Sequence, residues 1–185
     1  MKLLRVGEFR KEKPAALDKD GKIRDLSQHI TDLNPLTLNF ETLEKLKKIN
    51  LESLPEVPPS IRTGSCISRP GKFLAIGLNY SDHAAETNAE IPKEPILFNK
   101  ASNCIVGPND DIILPRLSKK LDWEVEIAFV IGKDTKYISE KDAPNHILGY
   151  CIVNDISERE WQIERGGLWD KGKSGDTFGP TGPYL

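Results

Sequence analysis

The chain has 185 residues, 38% of them hydrophobic and 29% charged, with a formal net charge of -2. That composition excludes a disordered chain, which needs lower hydrophobicity and a larger net charge. The near-neutral balance gives no field to draw in nucleic acid or an acidic membrane, and no apolar run approaches the ~18 residues of a membrane span. Three scattered cysteines, Cys66, Cys104 and Cys151, offer neither a zinc cluster nor a disulfide framework, and buried free thiols suit a reducing cytoplasm.

In chain order, Leu3 to Val6 reads as a strand, and Asp18-Lys19-Asp20-Gly21-Lys22 is a turn leading to a returning strand from Ile23 to Leu26. Apolar residues at Phe40, Leu43, Leu46 and Ile49 predict a short amphipathic helix. Leu54 to Ser60, with Pro55, Pro58 and Pro59, reads as a linker or domain boundary. It divides a small β-rich N-terminal domain, residues 1–60, from a larger domain, residues 61–185.

Beyond the linker, strands are expected at Phe73 to Leu78, Pro95 to Phe98, Ile112 to Leu114, Trp123 to Ile131 and Tyr150 to Val153. A helical stretch is expected from Ser81 through Glu86. Phe73 to Leu78 is apolar enough to be a buried strand, and Ala128 to Ile131 to be buried on both faces. Strands outnumber helices, so the class is α+β dominated by β.

Asp122-Trp123-Glu124-Val125-Glu126-Ile127 is the most informative stretch. On a strand, residues two apart share a face, with Cα atoms about 6.6 Å apart, so Glu124 and Glu126 project together. They form either a wet strand end or half of a site for a hard cation, whose preferred ligands are oxygens. Asp155, ending the apolar run Tyr150 to Asn154, is a candidate third acid.

Other residues are equally two-sided. His83 and Glu86, three apart on a helix, are either a surface pair or a water-activating base with its orienting carboxylate. Arg159 and Gln162, four and seven residues past Asp155, share a helix face that can present a guanidinium and an amide to an anion. Lys171-Gly172-Lys173-Ser174-Gly175-Asp176 lacks the spacing of a phosphate loop and reads as a glycine-broken loop with exposed lysines.

Taken together these segments resemble the fumarylacetoacetate hydrolase family. The matching runs are Gly77-Leu78-Asn79-Tyr80-Ser81-Asp82-His83, Glu124-Val125-Glu126, Asn154-Asp155-Ile156-Ser157, and Lys173 through Pro180 with Gly182-Pro183. The N-terminal runs Met1 to Arg5 and Ile23 to Ser27 are most similar to its bacterial 2,4-diketo-3-deoxy-L-fuconate hydrolase branch, often labelled ureidoglycolate lyase. The resemblance implies a mixed β-sandwich roll and a homodimer at full length. It implies Glu124, Glu126 and Asp155 as ligands of Mg²⁺ or Mn²⁺, with Ca²⁺ as an alternative. His83 and Glu86 would activate water, Lys173 would stabilise negative charge, and Tyr80, Arg159 and Gln162 would bind a small diketo acid.

Members of the family continue through a further glycine-rich loop and closing strands, so the chain is expected to be a C-terminally shortened form. Some members also place a fourth acid shortly before the histidine, where this sequence has Ala75-Ile76-Gly77. The expected activity is hydrolysis of a 2,4-diketo acid to pyruvate and a second acid. Isomerase, decarboxylase and ureidoglycolate lyase chemistry are alternatives within the family. An inactive metal-binding fragment is the alternative outside it.

Overall fold

The computed structural model describes residues 1–86, 88 and 90–185, and the side chain of each except His83. Strands β1 (Lys2–Val6), β2 (Lys13–Leu17), β3 (Ile23–Asp25) and β4 (Glu56–Val57) form one antiparallel sheet in that order. The β2–β3 turn closes on Asp18, whose Oδ1 accepts the backbone N–H groups of Asp20 and Lys22, both at 2.9 Å. Helix α1 (Phe40–Leu46) starts at Asn39, whose side chain accepts the Thr42 N–H. It helps cover a core of Leu3, Ala16, Leu26, Leu33 and Leu46. Within the proline-rich stretch, Glu56 and Val57 pair with β3, and the Pro55 carbonyl accepts the Asp25 N–H.

An ion chain runs through this first sheet and past residue 60. Arg5 bonds Asp32 and Glu12, Glu12 takes Arg62 Nη1 at 2.9 Å, and Arg62 forks onto Asp110 at 2.7 and 2.5 Å. Arg62 holds the Asp110 carboxyl below the usual aspartate range, against the opposing effect of burial. Stability from this pair is therefore present above the unfolded aspartate pKa of about 3.9 and is lost as pH falls through the lower folded value. The Glu12 side chain is 5% exposed and joins two guanidinium groups. Glu12→Ala is expected to cost about 3 kcal/mol, because removing one partner strands buried charge. Urea unfolding measures this, and a loss below about 1 kcal/mol would show that water replaces the carboxylate.

The second part holds a mixed sheet and two two-stranded antiparallel pairs. Strands β5 (Phe73–Gly77) and β6 (Ile96–Lys100) pair with each other, and helix α2 (Ser81–Glu86) lies between them in sequence. Strand β7 (Ile105–Val106) follows, then β8 (Leu121–Asp122), β9 (Val125–Ile131), β10 (Ile147–Asn154) and β11 (Ser157–Glu158), with β8 and β11 paired. Helix α3 (Asp170–Lys173) and β12 (Gly179–Gly182) end the set. The larger sheet has the order β7–β12–β10–β9, with only the β7–β12 pair parallel. Among the described residues strands far outnumber helices, so the β-dominated α+β class stands.

Three expected features differ. Residues 112–114 form no strand; the Ile113 N–H donates to Thr177 Oγ1 at 2.8 Å instead of joining a ladder. Strand β5 is not a buried strand, since Leu74 and Ile76 are exposed. Nor is β9 buried on both faces: Val125, Ile127, Phe129 and Ile131 all face outward, beside Tyr150 and Ile152 of β10. A continuous apolar sequence does not reveal whether one sheet face or two is covered.

Candidate active site

The outward apolar row on β9 leaves the alternate residues, Glu126, Ala128 and Val130, on the inner face, with Glu124 one step before the strand. Acids inside and aliphatics outside invert the ordinary pattern of a half-covered strand. The β9–β10 register then supplies the third acid. Glu126 pairs with Val153 and Val125 with Asn154, and the Asp155 N–H continues the ladder to the Glu124 carbonyl at 2.9 Å. Antiparallel pairing thus places Asp155 directly beside Glu124, which spacing alone could not establish.

Lys173 occupies the space between them. Its Nζ lies 3.0 Å from Glu124 Oε1 and 2.9 Å from Asp155 Oδ2, and 5.1 Å from the centroid of the Phe98 ring. The expected exposed loop lysine is therefore a residue 2% exposed at the end of α3. Gly172 makes this approach feasible: a Cβ there would meet the Glu158 carbonyl oxygen at 2.5 Å and the Gln162 nitrogen at 2.6 Å. The glycine between two lysines, read as a loop breaker, is instead a close-packing point.

Arg159 and Gln162 come together as expected, though on a different element. Residues Glu160–Glu164 form a widened π-type turn, with the Arg165 N–H reaching the Glu160 carbonyl, in place of a regular α-helix. Arg159 Nη1 donates to Gln162 Oε1 at 3.1 Å, while its other nitrogens hold Asp122 and Glu124. Burial alone would raise the Glu124 carboxyl, but Lys173 and Arg159 outweigh it and hold the group below the usual range.

Glu126 has the opposite balance. Burial first, then the charges of Glu124 and Asp155, push its carboxyl up, although Asn79 Nδ2 donates to Oε2 at 2.9 Å. Asn79 follows Leu78, whose φ of +50° turns the chain out of β5. Next along, the Tyr80 hydroxyl donates to the Val125 carbonyl at 2.9 Å, so it braces the acid strand while its ring stays exposed. These two bonds tie the entrance of α2 to β9. Glu86 is exposed on α2; the His83 side chain, and hence the expected His83–Glu86 contact, lies outside the described residues.

Two contributors escaped the sequence reading. Ser157 Oγ donates to Glu124 Oε1 at 3.1 Å, and Lys100 sits against Asp155. The Lys100 signal was present in the alternation of Ile96, Phe98 and Lys100, which places the lysine on the face of a buried phenylalanine. Cys66, Cys104 and Cys151 are all buried and free, and burial raises the Cys104 thiol to about 11.

Among the described residues no three acid, histidine or cysteine side chains converge as they would on a bound ion. The donor set nevertheless suits one. Glu124 and Asp155 converge on the Lys173 ammonium and are each paired with a further cation, Arg159 and Lys100, whereas Glu126 beside them has no ion pair of its own among the described residues and is destabilised by burial and by their charge. An all-oxygen set of three carboxylates on one face matches the donor preference of a hard divalent cation.

Comparison with known proteins supplies the family. Residues 72–185 match the family model described as fumarylacetoacetate (FAA) hydrolase, C-terminal. A protein of Burkholderia ambifaria (strain MC40-6), named as a hydrolase with no substrate specified, is 55% identical over 185 residues. The match covers 100% of this chain, which spans 66% of that relative's length. The fumarylacetoacetate hydrolase of Exiguobacterium antarcticum superposes with a TM-score of 0.82 at 29% identity, covering 100% of this chain and 65% of that one. The 2-hydroxyhepta-2,4-diene-1,7-dioate isomerase of Mycobacterium marinum gives 0.72 at 29%, covering 100% and 65%. The β-dominated fold of this chain, of the type expected from the sequence, is thus shared with both. An inverted acid strand, a register that adds a third acid, and a family match over most of the residues lead to one assignment: the chain belongs to the fumarylacetoacetate hydrolase family of enzymes.

Proposed function

We propose that the chain carries the acid and lysine machinery of a hydrolase that cleaves a carbon–carbon bond of a 2,4-diketo acid. The product pair is pyruvate and a second acid, and 2,4-diketo-3-deoxy-L-fuconate is the substrate favoured by the N-terminal resemblance. One observation carries the reading: Glu124, Asp155 and Lys173 meet inside the sheet with Glu126 on the same face.

Glu124, Glu126 and Asp155 would hold Mg²⁺ or Mn²⁺. When bound, such an ion supplies Lewis acidity to the keto oxygens of the substrate. His83 takes a proton from water, with Glu86 orienting it. The water oxygen then bonds to the distal carbonyl carbon. As the adjacent carbon–carbon bond breaks, its electron pair leaves with the pyruvate fragment as an enolate, which regains the proton. Lys173 and Arg159 offset the developing negative charge, and Gln162 and Tyr80 line the substrate's approach. Buried free cysteines support a cytoplasmic setting, and no described helix is long and apolar enough to cross a membrane. The outward apolar row of β9 and β10 supports a homodimer as the assembly, and the net charge of -2 supports neither nucleic acid nor an acidic membrane as partner.

The test is pyruvate release from a panel of 2,4-diketo acids with Mg²⁺ or Mn²⁺, on this chain and on one of the relatives' full length. Metal-dependent pyruvate is expected from the longer chain at least. Double-bond migration without pyruvate, in either chain, would replace hydrolysis with isomerisation. The named isomerase among the solved relatives makes that the second reading.

A further inference from the structure

Lys100 is among the most buried side chains of the molecule, at 1% exposure, on the inner face of β6. A buried ammonium persists only where fixed oxygens compensate it. Its Nζ lies 2.6 Å from Asp155 Oδ1 and 3.3 Å from the Ile156 carbonyl oxygen, and it also donates to the Lys173 carbonyl. Two of the three ammonium donors go to these carbonyls, and the contact with Oδ1 is an ion pair without hydrogen-bond geometry. The next residue fixes the end of β6 as well, with the Ala101 N–H donating to Ser174 Oγ at 2.9 Å. Lys100 is therefore anchored from several sides and has no path to a substrate.

The two oxygens of Asp155 consequently serve different partners. Oδ1 faces the fixed ammonium of Lys100, whereas Oδ2 faces the point where Lys173 Nζ also meets Glu124. A cation placed to use both oxygens would sit against the charge of Lys100. We propose that Lys100 restricts Asp155 to one ligand oxygen and so makes the site selective for a small six-coordinate cation over Ca²⁺. Mg²⁺ takes single oxygens in a near-octahedral set at about 2.0–2.1 Å, whereas Ca²⁺ takes about six to eight at longer range, often through both oxygens of a carboxylate. Lys100 is thus a positioning and selectivity residue, separate from Lys173, whose ammonium lies on the convergence point itself. This inference rests on the reading of Glu124, Glu126 and Asp155 as the cation site.

The experiment is calorimetric titration of the full chain with Mg²⁺ and, separately, with Ca²⁺. It is repeated on Lys100→Met and on Lys100→Gln, which keeps a donor for the backbone carbonyls but removes the charge. Thermal melting confirms that each variant is folded. In both variants the ratio of Ca²⁺ to Mg²⁺ affinity is expected to rise by about tenfold or more, since Asp155 gains its second oxygen as a ligand. A purely structural role would weaken both ions in parallel, and an unchanged ratio in a folded variant overturns the proposal. A native chain that binds Ca²⁺ more tightly than Mg²⁺ overturns it without any variant. A native chain that binds neither ion removes the cation site itself, and this inference with it.

Discussion

Glu126→Ala is expected to weaken Mg²⁺ and Mn²⁺ binding by about 100-fold or more, because loss of an outer-shell partner alone typically costs about 10- to 100-fold. The same substitution is expected to leave the metal-free protein as stable as before, or more so. Glu126 is held inside against burial and the charges of Glu124 and Asp155, with the Asn79 amide and, more weakly, the Lys173 charge in compensation. Removing one of three crowded like charges relieves repulsion, whereas removing a ligand abolishes the reason for crowding them. Titration calorimetry reads the first effect and thermal melting without metal reads the second. Unchanged metal affinity would return the inward acids of β9 to the role of a solvated strand end. A large loss of metal-free stability would instead mark Glu126 as a structural residue bonded through Asn79.

The second large effect concerns the proton. His83→Ala is expected to lower hydrolysis by about 100-fold or more while metal affinity stays nearly intact, since general-base catalysis contributes about 10²- to 10⁴-fold. The basis is positional. The residues leading into α2 are tied to the acid strand by the Asn79–Glu126 and Tyr80–Val125 bonds. Steady-state pyruvate release and calorimetry, run on the same preparation, separate the two properties. Native hydrolysis rates in the variant would remove His83 from the mechanism. Metal-dependent decarboxylation that survives the loss of His83 would favour the decarboxylase alternative, which needs no activated water.

The amino-acid order determined much of this protein by itself. The Asp18 turn, the capped helix from Phe40, the helix from Ser81 to Glu86 and the shared face of Glu124 and Glu126 are local consequences of turn chemistry and side-chain periodicity. The family motifs were likewise legible because they are runs of adjacent residues. Contacts between segments far apart in the chain were not legible. That Asp155 lies beside Glu124 depends on the β9–β10 register, and a slip of one residue would have sent every β9 side chain to the opposite face. That Lys100 and Lys173 are buried against Asp155 was decided only once β6 and α3 had closed around it; the alternation of β6 puts Lys100 on the Phe98 face but does not name its partner, and lysines are ordinarily exposed. Which face of an apolar strand is covered was also decided only in three dimensions. The outward row from Val125 to Ile131 reads in sequence like a core strand, since coverage depends on what packs across the sheet and not on the strand's own residues.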